Sequence, residues 1–295
     1  MPAICRCWPG RDCEADARRV VKGMPMSANE NATKAPLLIE RDGPVETLVI
    51  NDHPRNRMGL DFMDALEAEV ARVANDPGVR VIVIRGAGTE NFSVGMDLKQ
   101  LPEGQKRMGS LEALLDQRLR VLDAIENLPK PVVAVLCGYC LGGGLELPLA
   151  CHFRLAAAEG CKIGLPELDL GTVPAWGGSA RLTRCVGRDH ALDMILRAKK
   201  ISGPDALRIG IVSEVWPIEE LFERAHALAR ELADMPTIAV AGMLRCIVGA
   251  GEKPLDEGIA EERRAVLATW GTPDQREGIQ AFLEKRSPRF NRGSG

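Results

Sequence analysis

An α/β core followed by a purely helical carboxyl-terminal region is the fold class that the sequence predicts. Three observations point to it. Short β-branched runs, Val79 to Arg85 and Val132 to Cys137, read as buried strands. Amphipathic stretches of helical period alternate with them through the first two thirds of the chain. From Trp176 onward the helical pattern runs almost without interruption.

The elements follow in order. Leu37 to Ile50 reads as a hairpin around the Asp42-Gly43 turn. A helix covers Asp61 to Ala74, with Phe62, Leu66, Val70 and Val73 on one face, and Asp76-Pro77-Gly78 stops it. The strand at Val79 to Arg85 leads into a loop-rich stretch from Gly86 to Gln105. Leu111 to Leu128 is helical until Pro129 and Pro131 break it, and the strand Val132 to Cys137 follows. Helices are then predicted over 180–198, 218–235, 238–249, 254–269 and 273–285, with Val212 to Val215 the one strand among them. Residues 1–34 read as a disordered extension, 35–225 as the α/β core and 226–295 as a helical region.

Bulk properties exclude several function classes. The 295 residues are 45% hydrophobic and 27% charged, and only 4% aromatic, with a single tyrosine at Tyr139. A net charge of -3 and a pI near 5.9 argue against nucleic acid as the main partner. No apolar run approaches the ~20 residues that span a bilayer, and no membrane association is expected. The amino terminus lacks the apolar core of a signal peptide. Nine cysteines without a disulfide-framework spacing fit a reducing cytoplasm. Cys5, Cys7 and Cys13 have no histidine partner nearby, and His53, His190 and His226 have no metal-ligand spacing, so no metal is expected. Cys137-Gly-Tyr-Cys140 matches a redox spacing but lacks the following helix that lowers a thiol's pKa, and is read as buried packing.

The sharpest local signal is Gly142-Gly-Gly-Leu-Glu146, which opens a helical stretch directly after a strand. The first turn of a helix carries N–H groups without partners, and its dipole favours negative charge. Glu146 follows Gly143 by three positions and stands on the same helical face. A carboxylate serving only the helix dipole is an equal reading of that spacing. The pattern is not a phosphate loop, because no Gly-Lys-Ser/Thr follows. A second cluster, Gly164-Leu-Pro-Glu-Leu-Asp-Leu-Gly171, locks Glu167 behind a proline among apolar residues. Desolvation there raises a carboxyl pKa, and two carboxylates in one dry cleft can divide acid and base work. On these residues alone, a loop carboxylate that caps a nearby backbone group is the favoured reading of Glu167.

Taken in order, Phe92-Ser-Val-Gly-Met-Asp-Leu-Lys99, Cys140-Leu-Gly-Gly-Gly-Leu-Glu146, Ala150-Cys151, Gly164 to Gly171, Pro174-Ala-Trp-Gly-Gly-Ser-Ala-Arg-Leu182 and Ala281-Phe-Leu-Glu-Lys-Arg286 resemble the enoyl-CoA hydratase/isomerase (crotonase) superfamily. The similarity runs from about Leu37 to Phe290. It implies a crotonase-like spiral of ββα units with a carboxyl-terminal helical trimerisation region. It also implies syn addition of water to a 2-enoyl-CoA, or the reverse dehydration. The N–H groups of Met96 and Gly143 would form an oxyanion hole. Glu146 would activate water for attack at the β-carbon, and Glu167 would exchange the proton at the α-carbon. Val94, Met96, Asp97, Leu98, Lys99, Gly143 and Trp176 would contact substrate, and Phe282 and Lys285 would stand near the nucleotide end. Coenzyme A belongs to the substrate, no separate cofactor is implied, and the assembly implied is a homotrimer or a homohexamer.

This chain also departs from the family pattern. Pro148 lies within the helix of Glu146 and predicts a kink or a short helix. His152 stands where an aspartate is usual, Val94 where alanine is commoner, and Trp176 where the residue is small. Double-bond isomerisation, thioester hydrolysis, decarboxylation and a non-enzymatic binding role are the competing functions. The pair of glutamates favours hydration.

Overall fold

The computed structural model describes residues 35–292, so the expected amino-terminal extension and Cys5, Cys7 and Cys13 lie outside the described residues. The chain forms a six-stranded sheet in which β1 (Leu37–Asp42) pairs antiparallel with β2 (Val45–Ile50). Every later neighbour in that sheet is parallel: β2 with β3 (Val81–Gly86), β3 with β4 (Val132–Leu136), β4 with β6 (Phe153–Ala157) and β6 with β8 (Glu214–Trp216). The interior strands are buried along nearly their whole length. That burial on both faces is why they appear in the sequence as continuous apolar runs.

A second sheet stands beside the first. β5 (Tyr139–Leu141) pairs in parallel with β7 (Lys162–Gly164), and single bridges from Ser93 to Cys140 and from Ile163 to Ile201 extend it on either side. Successive units of the spiral therefore each give one strand to the large sheet and a shorter one to the small sheet before a helix. The helices on these units are α1 (Leu60–Asn75), α2 (Leu101–Met108), α3 (Leu111–Glu126), α4 (Gly143–Leu149) and α5 (Gly178–Val186).

After them come α6 (Arg188–Leu196), α7 (Gly203–Ile209) and α8 (Ile218–Ala233), then an arm of α9 (Thr237–Gly249), α10 (Leu255–Thr269) and α11 (Pro273–Leu283). α8 passes residue 225 without a break and packs on β3, β4 and β6, so the helical arm begins after Ala233 rather than at 226. Among the described residues no single helix is long and apolar enough to cross a membrane.

The structure corrects the sequence reading at short elements. α2 begins inside the stretch Gly86 to Gln105 that was read as loop, started by a proline in its first turn. The segment 180–198 is two helices, because Gly187 adopts φ 78 between them. β5, β6, β7 and α7 were too short to leave a periodic signal. Pro148 has the predicted effect: α4 is seven residues long and ends at Leu149.

Close approach of the two spiral turns decides one residue type. A Cβ on Gly144 would stand 2.3 Å from the carbonyl oxygen of Ser93. Gly144→Ala is therefore expected to cost roughly 2–3 kcal/mol by overpacking, read as a lowered urea midpoint. An unchanged midpoint would show that this contact yields without cost.

Candidate active site

Beyond the carboxyl ends of β3 and β4, where open α/β sheets commonly bind ligands, two loops come together. The loop after β3 reaches Ser93, which bridges Cys140 of β5: its N–H donates to Tyr139 O (3.0 Å) and its C=O accepts from Leu141 N (3.1 Å). Further along, Met96 bridges Met58 through its neighbours, with Met58 N donating to Gly95 O and Asp97 N donating to Met58 O. In such a bridge the N–H of Met96 itself faces the other way. The strand β5 ends at Gly142, whose φ of 55 and ψ of -127 only glycine adopts readily. That turn starts α4 and leaves the N–H of Gly143 at the helix end. A Cβ on Gly95 would lie 3.3 Å from Gly143 N, so the two loops touch here. Neither the Met96 N–H nor the Gly143 N–H has a hydrogen-bond acceptor among the described residues.

Glu146 sits one turn into α4 and is 2% exposed. Its Oε1 accepts from Trp176 N (2.7 Å) and Gly178 N (2.9 Å). Burial pushes its carboxyl up to about 7 against those two N–H donors, and the Glu167 charge pushes the same way. Gly178 is held so close that a Cβ there would stand 2.7 Å from Glu146 Cγ. Glu167 begins a 3-10 turn (Glu167–Leu170) after Pro166. Burial raises its pKa too, and its Oε2 is buried without a partner. The carboxyl of Glu167 lies beside Gly142, with Oε1 3.0 Å from where a Cβ would sit. Glu167 thus borders the Gly142-Gly143 turn, and its charge reaches the Glu146 carboxyl on the helix that the turn opens.

Trp176 closes this turn. Its indole is buried against Gly143, within 2.4 Å of a Cβ position there. Arg181 holds the loop by donating to Trp176 O (2.9 Å) and to Glu126 of α3 (2.8 Å). The remaining sequence candidates divide. Val94 is half-buried and its N–H donates to Arg55 O, while Asp97 caps Lys99 N and pairs with Arg57. Leu98 and Lys99 are exposed beside them. Phe282 and Lys285 stand apart from this cluster, exposed on and just beyond α11. His152 is structural: its Nδ1 accepts from Val132 N, and Nε2 meets Glu126 O. Burial raises the Cys137 thiol to about 12 and Cys140 well above the ordinary range, so the CxxC pair is packing and not a thiolate site.

Sequence reasoning missed the groups that hold Glu146 in place, namely the N–H groups of Trp176 and Gly178 and the arginine at 181. The paired glycines Gly177-Gly178 were the available signal, since paired glycines mark close backbone approach.

The profile of the family described as Enoyl-CoA hydratase/isomerase matches residues 41–293. A probable enoyl-CoA hydratase of Bacillus subtilis (strain 168) is 37% identical over 247 residues, covering 83% of this chain and 95% of the relative. A short-chain-enoyl-CoA hydratase of Clostridium acetobutylicum is 31% identical over 252 residues, 85% of this chain and 95% of the relative. The solved structure of an enoyl-CoA hydratase from Geobacillus kaustophilus HTA426 superposes with a TM-score of 0.83 at 32% identity, covering 88% of this chain and 97% of that one.

The raised carboxyl of Glu146 has a signed consequence for stability. A carboxyl whose folded pKa lies above 4.5 contributes stability below pH 4.5 that is lost as pH rises through about 7. The full displacement corresponds to roughly 3 kcal/mol. Glu146→Gln should therefore unfold at a higher temperature than the parent at pH 8, and the gap should shrink toward pH 5. A gap independent of pH, followed by calorimetry, contradicts a buried ionised Glu146.

Proposed function

The chain belongs to the enoyl-CoA hydratase/isomerase family, and we propose that it is an enoyl-CoA hydratase that adds water syn across the double bond of a 2-enoyl-CoA. The observation that carries this reading is the pair of desolvated glutamates within reach of each other's charge beside a turn with a free N–H. In the proposed reaction the thioester oxygen lies between the N–H groups of Met96 and Gly143. Charge moves onto that oxygen as water attacks the β-carbon, and one such donor is worth roughly 3 kcal/mol in the transition state.

Glu146 has Oε1 occupied by two backbone donors, which leaves Oε2 to take the proton from water. Glu167, with a raised pKa and an unpartnered Oε2, gives its proton to the α-carbon. One proton is thus gained and one lost, so the pair returns to its starting charge by exchange. A pKa near 7 suits a base working at neutral pH. Val94 and Met96 to Lys99 line the coenzyme A path in this reading, and Trp176 narrows the acyl end.

The assembly proposed is a homotrimer, or a homohexamer of two trimers. It is supported by the apolar side chains that α9, α10 and α11 leave uncovered, among them Ile247, Leu255, Leu267, Trp270 and Phe282. Phe282 and Lys285 then meet coenzyme A from that arm. Free cysteines support a cytoplasmic setting.

Crotonyl-CoA tests the reaction, because hydration removes the conjugated chromophore and lowers its ultraviolet absorbance. Glu146→Gln and Glu167→Gln should each reduce kcat by roughly a hundredfold or more with little change in coenzyme A affinity. For the parent enzyme, kcat/KM should fall with pH below about 7 as Glu146 takes up a proton. Parent-like turnover in either variant, or a gain of absorbance from a 3-enoyl-CoA with none lost from crotonyl-CoA, would replace hydration by isomerisation or another reaction.

A further inference from the structure

Asn56 lies in the loop between β2 and α1, is 0% exposed and adopts φ 50, in the left-handed region. Asparagine enters that region more readily than most residues. Its side chain is engaged at both ends. Nδ2 donates to Ala87 O (3.0 Å) and to Asn91 O (2.7 Å), and Oδ1 accepts from Asp52 N (3.4 Å). Its backbone N–H donates to Asp52 O (2.6 Å). One buried amide thus grips two points of the loop that leaves β3. Gly86, at the end of that strand, makes room for it, since a Cβ there would stand 2.5 Å from Asn56 Nδ2.

The gripped loop runs straight on into the site. Val94 N donates to Arg55 O (3.1 Å), Met58 N to Gly95 O (2.9 Å) and Asp97 N to Met58 O (3.4 Å). Arg55 and Met58 stand on either side of Asn56, so the ladder that presents the Met96 N–H is laid on the segment whose bend Asn56 sets. The ion pair between Arg57 and Asp97 crosses the same gap, but at 3.6 Å and with the arginine open to solvent, where such pairs hold little. Asn91 continues the network: its Nδ2 donates to Pro54 O (2.8 Å) and its Oδ1 accepts from Tyr139 N (2.8 Å). That second bond joins the loop to β5, and β5 leads into the Gly142-Gly143 turn.

A donor to a developing oxyanion works only when it is held within about 0.5 Å of its place. A misplacement of about 1 Å can cost roughly a hundredfold in rate. We propose that Asn56 is a positioning residue for the oxyanion hole: its left-handed turn and buried amide set where the Met96 N–H stands relative to that of Gly143. This rests on the acyl-CoA reading above and adds to it the side chain that holds the donor in place.

Butyryl-CoA, a saturated thioester, reads the hole without chemistry. With a heavy-carbon label at its carbonyl, infrared difference spectra should show the C=O stretch at lower frequency when bound to the parent than in water. Asn56→Asp keeps the size and the backbone preference but turns an acceptor toward two carbonyl oxygens. Asn56→Gly keeps the left-handed backbone and removes the amide. Both variants should lose most of the downshift, and kcat for crotonyl-CoA should fall by roughly ten- to a hundredfold with KM changed much less. Should Asn56→Asp not fold, Asn56→Gly carries the same readouts. A variant that unfolds at a lower temperature yet keeps the parent's carbonyl frequency and kcat has lost a structural bond only, and overturns the proposal. A fall in kcat with the downshift intact overturns it as well. No downshift in the parent overturns both the proposal and the oxyanion hole. Where the downshift is present but crotonyl-CoA is not hydrated, the hydratase reading fails and the infrared comparison still decides the role of Asn56.

Discussion

A buried carboxylate held by two backbone N–H groups is the constraint around which this molecule is arranged. Glu146 Oε1 accepts from Trp176 and Gly178 at 2.7 and 2.9 Å, in a setting that excludes almost all solvent. Those two bonds tie α4 to the loop before α5 and to the first residue of α5, across 30 and 32 residues of sequence. They also fix the conformation of that loop, because both donors must point at one oxygen. The clamp lowers the carboxyl's pKa while burial raises it, and the balance near 7 places the group where it can accept and release a proton.

From that clamp the rest of the site follows. The loop so fixed carries the indole of Trp176, which covers Gly143 and takes space beside the turn. Arg181 braces the same loop from behind and connects it to the end of α3. The opposite wall is built by the bridges of Ser93 to Cys140 and Met96 to Met58, which bring a free N–H from each loop to the same turn. Glu167 enters from a third segment, through the 3-10 turn after Pro166. Three segments distant in sequence thus converge, and only the first of them carries its functional group on a regular helix.

The departures from the family pattern are absorbed locally. Pro148 ends α4 a turn after Glu146 and does not displace it, since the carboxylate is held by the facing loop and not by the helix alone. His152 replaces an acid but bonds the first N–H of β4 and the carbonyl of Glu126, which is a joint between strand and helix. Trp176 acts by volume, its indole standing against Gly143 beside the turn.

The resemblance of the motifs to the family singled out the two glutamates, whereas the residues by themselves determined the buried strands β2, β3 and β4, the long amphipathic helices and the short α4. Each of these is written in local periodicity, in a proline or in a glycine turn, which needs no distant partner to be recognised. The family motifs added the order of the segments. Only the tertiary structure decided that Glu146 is clamped by Trp176 and Gly178 and that α8 belongs to the sheet. Those facts are distances between residues far apart in the chain. Hydrogen-bond partners and desolvation are properties of the packed whole, and no single stretch of sequence contains them.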